Sequence, residues 1–289
     1  MTFNYVFVWH NNRITLTVFK FCDNMQLPKR VTIELTNRCN RACAGCPRHQ
    51  MRYPLGDMNE TLFKTILKQL PGETTVVPFF RGEPTLHPKF SDLLPELHRF
   101  SNVQLATNGD YLTHENKRAI LENVTFLSVS LHKFQLPVET AWLPFLHEAR
   151  DRGLNTQISI VEPELPQKWR GHFTREWLKH ADRVRIYEMH SKNGFGSLTK
   201  KSCVEPCRKP FEEMVVYWDG KVGLCNHDWN ASSLIADLNK QSIEEVWNSQ
   251  VYKSIRFHHE LGWRKNVEAC KNCDFQSNKI TGELILAHN

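Results

Sequence analysis

From residue 31 the chain alternates short apolar runs with amphipathic segments, and this alternation constrains the fold more than any other feature. The apolar runs have the length of buried strands, and the segments between them have helical periodicity. This pattern is typical of a parallel sheet with right-handed crossovers. The predicted strands are VTIEL, TTVVPFF, NVQLAT, TFLSVSL, NTQISIV and RVRIYEM. The sequence therefore predicts an α/β fold, either a layered sheet or a partial (β/α)6 barrel.

One helix is predicted after each of the first five strands. The helices cover about residues 61–70 and the segments FSDLLPELHRF, HENKRAILEN, ETAWLPFLHEARDRG and TREWLKHA. Polar motifs follow the first three strands, which are CNRACAGC, RGEP and TNGD in chain order. The carboxyl ends of parallel strands share one edge of a sheet, so we expect the motifs to meet at one site there.

The first residues do not follow the alternation. Phe3, Tyr5, Phe7 and Trp9 occupy every second position and lead through HNNR into a second alternating run, which predicts a β-hairpin. Because Met25 lies just ahead of the first repeated strand, a start codon placed too early is an alternative explanation. We treat residues 1–28 as an amino-terminal extension.

Length and composition exclude several classes of protein. The 289 residues, 40% of them hydrophobic, are enough for a sizeable core. No apolar run approaches a membrane span, and the amino terminus lacks the features of a secretion signal, so we expect a cytoplasmic protein without a membrane partner. The formal charge of +6 is spread along the chain, which a solvated surface explains as well as nucleic acid does, and we do not expect a nucleic-acid partner.

Cysteines indicate metal binding rather than disulfides. The chain has nine, an odd number, and disulfide frameworks belong to short secreted proteins. Three thiolates in the CNRACAGC loop can bind three irons of a four-iron, four-sulfur cluster and leave the fourth iron open. Zinc completed by His49 is the alternative, although structural zinc sites favour two-residue gaps. The loop's cysteines are Cys39, Cys43 and Cys46.

A second group of cysteines predicts a closed site. Twelve residues separate Cys207 from Gly220 and four separate Gly220 from Cys225, which predicts a hairpin turning at Asp219-Gly220. Two helices, SIEEVWNS and VYKSIRFHHEL, then lead to CKNC, which holds Cys270 and Cys273. Four thiolates leave no open position, so this site is structural or transfers electrons, with either zinc or iron–sulfur. Cys203 and Cys22 remain, as a free thiol near the site and an ordinary buried thiol.

The motifs together resemble those of radical S-adenosylmethionine (SAM) enzymes. In that family C-x3-C-x2-C follows the first strand of a six-stranded partial barrel. The resemblance implies that the open iron chelates SAM, which an electron cleaves to a 5'-deoxyadenosyl radical that abstracts hydrogen. It assigns Gly82, Glu83 and Pro84 to the methionine amino group. Gly45 departs from the usual aromatic or large apolar residue against the adenine, which then packs on Met51 or a later side chain. Further cofactor contacts implied near the ribose and methionine carboxylate are Thr107, Asn108, Ser128 and Ser130.

The second cysteine group resembles the auxiliary-cluster domains called SPASM and their shortened form, twitch. No cysteine follows Cys273, so the resemblance implies one auxiliary four-iron cluster held by four cysteines. The spacing is most similar to dehydrogenases of the 2-deoxy-scyllo-inosamine type. The implied domains are the partial barrel over residues 29–195 and the SPASM or twitch domain over residues 196–289.

The resemblance implies a radical oxidoreductase acting on a small polar metabolite, with an alcohol of a sugar or cyclitol oxidised to a ketone. The candidate catalytic residues are His132, Arg81 and His190, with Lys133 and Glu188 as further residues at strand ends. A flavodoxin- or ferredoxin-type protein is the implied electron donor. Each candidate is also explained as a solvated or hydrogen-bonded loop residue.

Other functions stay open at this point. Peptide or protein modification, sugar epimerisation with Cys203 as hydrogen donor, and RNA modification use the same radical chemistry. A zinc-stapled binding module without catalysis is the alternative from a different class.

Overall fold

A computed structural model of the chain describes residues 4–10, 13–19, 26–43, 46–161, 164–187, 207–271, 273, 275 and 283–287. In residues 4–10 and 13–19, and at His49, it describes the backbone alone. Several residues singled out in the sequence lie outside the described residues. They are Cys22, Gly45, Glu188, His190 and Cys203.

The predicted amino-terminal hairpin is confirmed. Strand β1 (Asn4–His10) pairs in antiparallel fashion with β2 (Arg13–Phe19), and His10 lies opposite Arg13 at the turn. The two strands form a sheet of their own.

The six predicted parallel strands are also confirmed, and each pairs with the next in chain order. This is the expected α/β architecture of a partial (β/α)6 barrel. Their bounds are β3 (Arg30–Ile33), β4 (Thr75–Val77), β5 (Asn102–Thr107), β6 (Phe126–Leu131), β7 (Asn155–Val161) and β8 (Arg183–Tyr187).

Helices cover the outer face of this sheet, and prolines correct two of the predicted bounds. The segment predicted as one helix over FSDLLPELHRF is the short helix α2 (Phe90–Leu93) followed by a 3₁₀ helix over Leu94–Leu97, because Pro95 cannot donate a helical hydrogen bond. Pro144 fits only the first turn of a helix, so α4 (Leu143–Asp151) begins at Leu143 rather than near residue 139. The helices are α1 (Glu60–Lys68), α2 (Phe90–Leu93), α3 (His114–Asn123), α4 (Leu143–Asp151) and α5 (Arg170–Trp177).

Apolar side chains of these helices and strands form one large core. On α5, Phe173 and Trp177 lie one turn apart and are completely buried. This helix begins at Arg170, four residues before the start of the predicted segment TREWLKHA. Burial of each such side chain stabilises the fold by about 1.5–3 kcal/mol.

The carboxyl-terminal region continues the sheet at both edges. Strand β9 (Glu213–Val216) runs parallel to β3, and β10 (Lys221–Gly223) and β11 (Ala236–Asp237) extend that edge. At the other edge β12 (Glu283–Leu286) pairs in antiparallel fashion with β8. Ten strands therefore form one sheet within the described residues. The bounds are α6 (Lys209–Glu212), β9 (Glu213–Val216), β10 (Lys221–Gly223), β11 (Ala236–Asp237), α7 (Ile243–Trp247), α8 (Gln250–Glu260) and β12 (Glu283–Leu286).

No helix within the described residues has both the length and the apolar character that crossing a membrane requires.

The predicted turn at Asp219-Gly220 joins β9 to β10. Gly220 has φ +86°, and a Cβ there would lie 2.5 Å from the side-chain nitrogen Nδ2 of Asn239, which donates to Asp219 O at 2.8 Å. Gly153 has nearly the same φ, +85°, but a Cβ there would meet nothing within 4 Å.

We expect Gly220→Ala to lower the free energy of unfolding by about 1 kcal/mol more than Gly153→Ala does. Both variants strain a left-handed residue by about 1 kcal/mol, but only the first also displaces the hydrogen bond of Asn239, worth about 1 kcal/mol. Denaturant titration of the two purified variants measures the difference. Equal losses would contradict the described turn.

Candidate active site and auxiliary cluster site

The CNRACAGC loop follows β3 and brings three half-buried thiols together. Burial raises the pKa of Cys39 and of Cys43. The Cys46 thiol also raises the pKa of both, and Cys39 raises that of Cys43. The Arg41 amide donates to Cys39 Sγ at 3.5 Å, and the Cys46 amide donates to Cys43 O at 3.0 Å. Three converging thiols with a backbone donor fit a cluster that they would hold as thiolates.

Gly82 of RGEP packs directly on the backbone that leads into this loop. A Cβ at Gly82 would lie 2.3 Å from Thr36 O and 2.6 Å from Arg38 O, so no other residue fits without displacing the chain. The amide of Glu83 donates to Arg38 O at 2.8 Å. The RGEP segment that follows β4 is therefore attached to the residue just before Cys39.

The carboxylate of Glu83 is buried and joins RGEP to TNGD. It accepts hydrogen bonds from Thr107 Oγ1 at 2.6 Å, from the Asn108 amide at 2.7 Å and from Thr85 Oγ1 at 2.7 Å. Burial raises its pKa, and these three partners oppose that shift. Of the implied cofactor contacts, Glu83, Thr107 and Asn108 thus lie in one hydrogen-bonded group, with Pro84 buried next to it.

TNGD in turn holds the cysteine loop. The Asp110 carboxylate accepts from the Arg41 side chain and, at 2.8 Å, from Asn40 Nδ2. Asn108 Nδ2 donates to Asn40 Oδ1 at 2.8 Å. Burial raises the pKa of Asp110, but Arg41 outweighs burial and the net pKa is lowered. The three motifs therefore meet at one edge of the sheet, as the sequence predicts.

Arg81 lies behind this edge with a completely buried side chain. Its guanidinium makes two hydrogen bonds of 2.6 Å to the Glu34 carboxylate and a third, of 2.9 Å, to Trp229 O. Its carbon lies 4.5 Å and 4.3 Å from the ring centres of Tyr53 and Tyr217. Burial alone lowers the pKa of Arg81, but Glu34 outweighs it and the net pKa is raised.

Polar side chains line the middle strands of the barrel. Ser128 Oγ donates to Ser159 Oγ at 3.2 Å and accepts from Gln157 Nε2 at 3.0 Å, while Ser130 and Ser159 are 2.9 Å apart. Ser159 lies opposite Arg185 in the register of β7 and β8. Ser128 and Ser130 thus belong to a polar row that crosses β6, β7 and β8, whereas Glu83 lies in the segment after β4.

His132 follows β6 and is half-buried. Its Nδ1 is buried and has no hydrogen-bond partner among the described residues. Burial, and then the positive charges of Arg41 and Lys133, lower its pKa. The charges of Asp110 and Glu164 also act on this ring, and Glu164 acts on Cys43 as well. His132 therefore lies among the side chains around the cysteine loop.

The second cysteine group forms a separate buried site. Burial, and then Cys270, raise the pKa of Cys225 well above its usual range, while burial, and then Cys273, raise that of Cys270 to about 12. Cys207 contributes to the same shift at Cys270, so the four thiols interact with one another. Four buried thiols without a disulfide fit a closed cluster that they would hold as thiolates.

Hydrogen-bond donors lie beside two of these thiols. The His227 amide donates to Cys225 Sγ at 3.4 Å, and the His259 ring lies beside Cys270. Its Nδ1 accepts from the Cys207 amide at 3.2 Å, and its Nε2 lies 3.5 Å from Cys270 Sγ. The ring is completely buried, and burial lowers its pKa to about 4. Among the described residues, no three His, Cys, Asp or Glu side chains are arranged so that they could hold a single metal ion.

Sequence reasoning missed several of these residues. Glu34 could have been found from the sequence, because a carboxylate inside an apolar strand segment requires a buried partner. Asn40 and Arg41 contribute to the cysteine motif only as spacing between Cys39 and Cys43. His259 was part of a helix predicted for its periodicity alone.

Sequence models of known families match the two parts of the chain. That of the radical SAM superfamily matches residues 33–196. That of SPASM, an iron-sulfur cluster-binding domain, matches residues 207–274. These matches imply a four-iron cluster with SAM and an auxiliary iron–sulfur site, as expected from the motifs. They favour iron–sulfur over zinc at both cysteine groups.

Two curated relatives have similar sequences. The S-adenosyl-L-methionine-dependent 2-deoxy-scyllo-inosamine dehydrogenase of Niallia circulans is 25% identical over 251 residues, which cover 84% of this chain and 92% of that protein. A tungsten-containing aldehyde ferredoxin oxidoreductase cofactor-modifying protein of Pyrococcus furiosus is 33% identical over 114 residues, which cover 38% of this chain and 31% of that protein.

Solved structures share the fold. The crystal structure of BtrN in complex with AdoMet and 2-DOIA superposes with a TM-score of 0.63 at 22% identity, covering 87% of this chain and 94% of BtrN. Streptococcus suis SuiB bound to its precursor peptide SuiA superposes with a TM-score of 0.65 at 13% identity, covering 81% of this chain and 68% of SuiB. At these identities the likeness concerns the fold.

We expect Arg81→Met to lower the free energy of unfolding by about 3–5 kcal/mol, because it leaves the Glu34 carboxylate buried without its partner. The double variant Glu34→Leu/Arg81→Met should lose less than Arg81→Met alone, since no buried charge remains unpaired. Lys89→Met, which breaks an exposed ion pair with Glu60, is the control and should leave the unfolding midpoint nearly unchanged. Denaturant titration of all three variants tests this order, and a larger loss in the double variant would contradict it.

Proposed function

Because this chain belongs to the radical SAM superfamily, we propose that it is an oxidoreductase that oxidises a secondary alcohol of an aminocyclitol or sugar to a ketone. The observation that carries the proposal is the meeting of three motifs at one sheet edge, where RGEP and TNGD hold the cysteine loop. When bound, the first cluster supplies the electron that cleaves SAM to methionine and a 5'-deoxyadenosyl radical.

The substrate class is proposed from the curated dehydrogenase relative, because the match covers 92% of the length of that protein. The polar row of Ser128, Ser130 and Ser159, with Gln157 and Arg185, offers hydroxyl, amide and guanidinium groups of the kind that bind a polyhydroxylated molecule. Ser128 and Ser130 therefore remain candidate contacts, together with Gly82, Glu83, Pro84, Thr107 and Asn108 for the cofactor.

Loss of a hydrogen atom from the carbinol carbon leaves a radical that becomes a ketone by losing one proton and one electron. We propose His132 as the residue that takes the proton, since Nδ1 has no other partner among the described residues and its lowered pKa keeps the ring neutral. We propose the auxiliary site as the acceptor of the electron. Arg81 is assigned a positioning role, because its guanidinium is already bound to Glu34 and Trp229.

We also propose a flavodoxin- or ferredoxin-type electron donor and a cytoplasmic location, since free thiols and reduced clusters require a reducing compartment. The domain division at about residue 195 and the role of His190 remain part of the proposal. Zinc is not part of it.

The reaction can be tested with substrates deuterated at their carbinol carbons. Anaerobic protein with SAM and strong reductant is incubated with a panel of aminocyclitols and sugars, and 5'-deoxyadenosine is analysed by mass spectrometry. We expect one panel member to transfer a single deuterium to 5'-deoxyadenosine and to yield the corresponding ketone, while Cys39→Ala yields neither.

Two results would contradict the dehydrogenase proposal. One is an inverted alcohol that has gained a solvent hydrogen, which is the product of an epimerase. The other is deuterium transfer only from labelled peptides, which would favour the peptide-modifying alternative that structures such as SuiB share in fold.

For His132→Ala we expect a loss of turnover of about 100-fold, in the range of a removed general base. Lys133→Ala changes the neighbouring exposed residue and should lose little. Because the pKa of His132 is lowered, wild-type turnover should be constant through neutral pH and fall only below about pH 6.5, as the ring becomes protonated. Steady-state turnover from pH 5 to 8 measures both effects, and unchanged turnover in His132→Ala would remove this residue as the base.

A further inference from the structure

The buried face of α8 is polar where a helix packed on a protein interior is usually apolar. Tyr252, Arg256 and His259 recur at intervals of four and three residues, so they lie along one face, and all three are buried. Burying such groups lowers stability unless they have partners. This face lies against the second cysteine group. The Cys225 thiol raises the pKa of Tyr252, and His259 contacts the backbone amide of Cys207 and Sγ of Cys270.

The contacts of His259 fix which of its nitrogens carries the proton. Nδ1 lies 3.2 Å from the Cys207 amide nitrogen, which can only donate, so Nδ1 is the acceptor. A neutral imidazole has one N–H, and it is therefore on Nε2. Nε2 lies 3.5 Å from Cys270 Sγ, within reach of a hydrogen bond to sulfur.

We propose that His259 donates a hydrogen bond to the Cys270 thiolate and thereby raises the reduction potential of the auxiliary cluster. The inference rests on the proposed function, in which this site accepts the electron of the substrate radical. A donor on a ligand sulfur stabilises the more negative, reduced state of a cluster, which raises its potential.

Two cations act in the same direction. Arg264 lowers the pKa of Cys270, and Lys209 lowers that of Cys225, so each stabilises negative charge on the sulfur. Arg264 is almost fully buried and donates to Cys273 O at 3.4 Å, so its charge is fixed beside the CKNC turn. His259 differs from both because it reaches a ligand sulfur directly and connects Cys207, at one end of the site, to Cys270 at the other.

The experiment uses the full chain carrying Cys39→Ala, Cys43→Ala and Cys46→Ala, which leaves only the auxiliary cluster. In this background His259→Leu removes the donor, while His259→Gln keeps an N–H near the position of Nε2. Both lose the acceptor for the Cys207 amide, so they differ in the hydrogen bond to Cys270. His258→Gln changes the neighbouring ring, which bonds Ser254 O on the outer side of α8, and is the matched control.

Midpoint potentials come from redox titration monitored by electron paramagnetic resonance. We expect a negative shift in His259→Leu, a potential close to the parent in His259→Gln, and no shift in His258→Gln. An unshifted potential in His259→Leu overturns the proposal while leaving the radical chemistry intact. Absence of any iron–sulfur cluster in the parent overturns the proposal together with the auxiliary site.

A second measurement applies if His259→Leu does not retain four irons. The parent is labelled with histidine that carries ¹⁵N in the imidazole ring only, because the backbone nitrogen of His227 also donates to a ligand sulfur, at 3.4 Å. It is then reduced and examined for hyperfine coupling between the cluster and a histidine ring nitrogen. We expect a weak coupling that persists in His258→Gln and disappears in His259→Gln. Its absence from the parent overturns the proposal.

Discussion

Two opposite charges, Glu34 and Arg81, meet in the interior where the barrel sheet joins the carboxyl-terminal hairpin. A pair of this kind is held by geometry, because each charge needs the other once water is excluded. Glu34 directly follows β3 and leads toward the cysteine loop, and Arg81 immediately precedes Gly82 and Glu83. The third hydrogen bond of Arg81, to Trp229 O, reaches the segment that follows Cys225. One buried ion pair therefore fixes the positions of both cysteine groups relative to each other.

The two groups differ in what surrounds them. The first lies at the sheet edge with half-buried thiols. It is held by side chains from the loops after β4 and β5, Glu83 and Asp110, together with Asn40 of the loop itself. The second has four buried thiols and donors beside two of them, the His227 amide at Cys225 and the His259 ring at Cys270. An open site that binds a reactant and a closed site that exchanges an electron have different requirements, and the described side chains match each of them.

Most of the fold could be predicted from the sequence, because the strands of a parallel sheet are apolar and their spacing is regular. Pro95 and Pro144 changed the helix bounds because proline has no backbone N–H, which can be read from the sequence. The pairing of β9 with β3 and of β12 with β8 could not be read, since strand order depends on contacts between distant segments. At the site, the cysteines and the meeting of the motifs around Glu83 could be predicted from the motifs. Arg81 was expected near the substrate, and its buried pairing with Glu34 depends on a carboxylate 47 residues away. His259 carries no local motif, so only its contacts reveal it.

The iron and sulfide content of anaerobically reconstituted protein, combined with Mössbauer spectra, tests whether the chain holds one open and one closed four-iron cluster. We expect about eight irons per chain in the wild type and about four in the variant lacking Cys39, Cys43 and Cys46. Addition of SAM should change the spectrum of the wild type alone, because only the open iron can bind it. Zinc in place of iron, or a spectrum that responds to SAM in the triple variant, would contradict the assignment of the two sites.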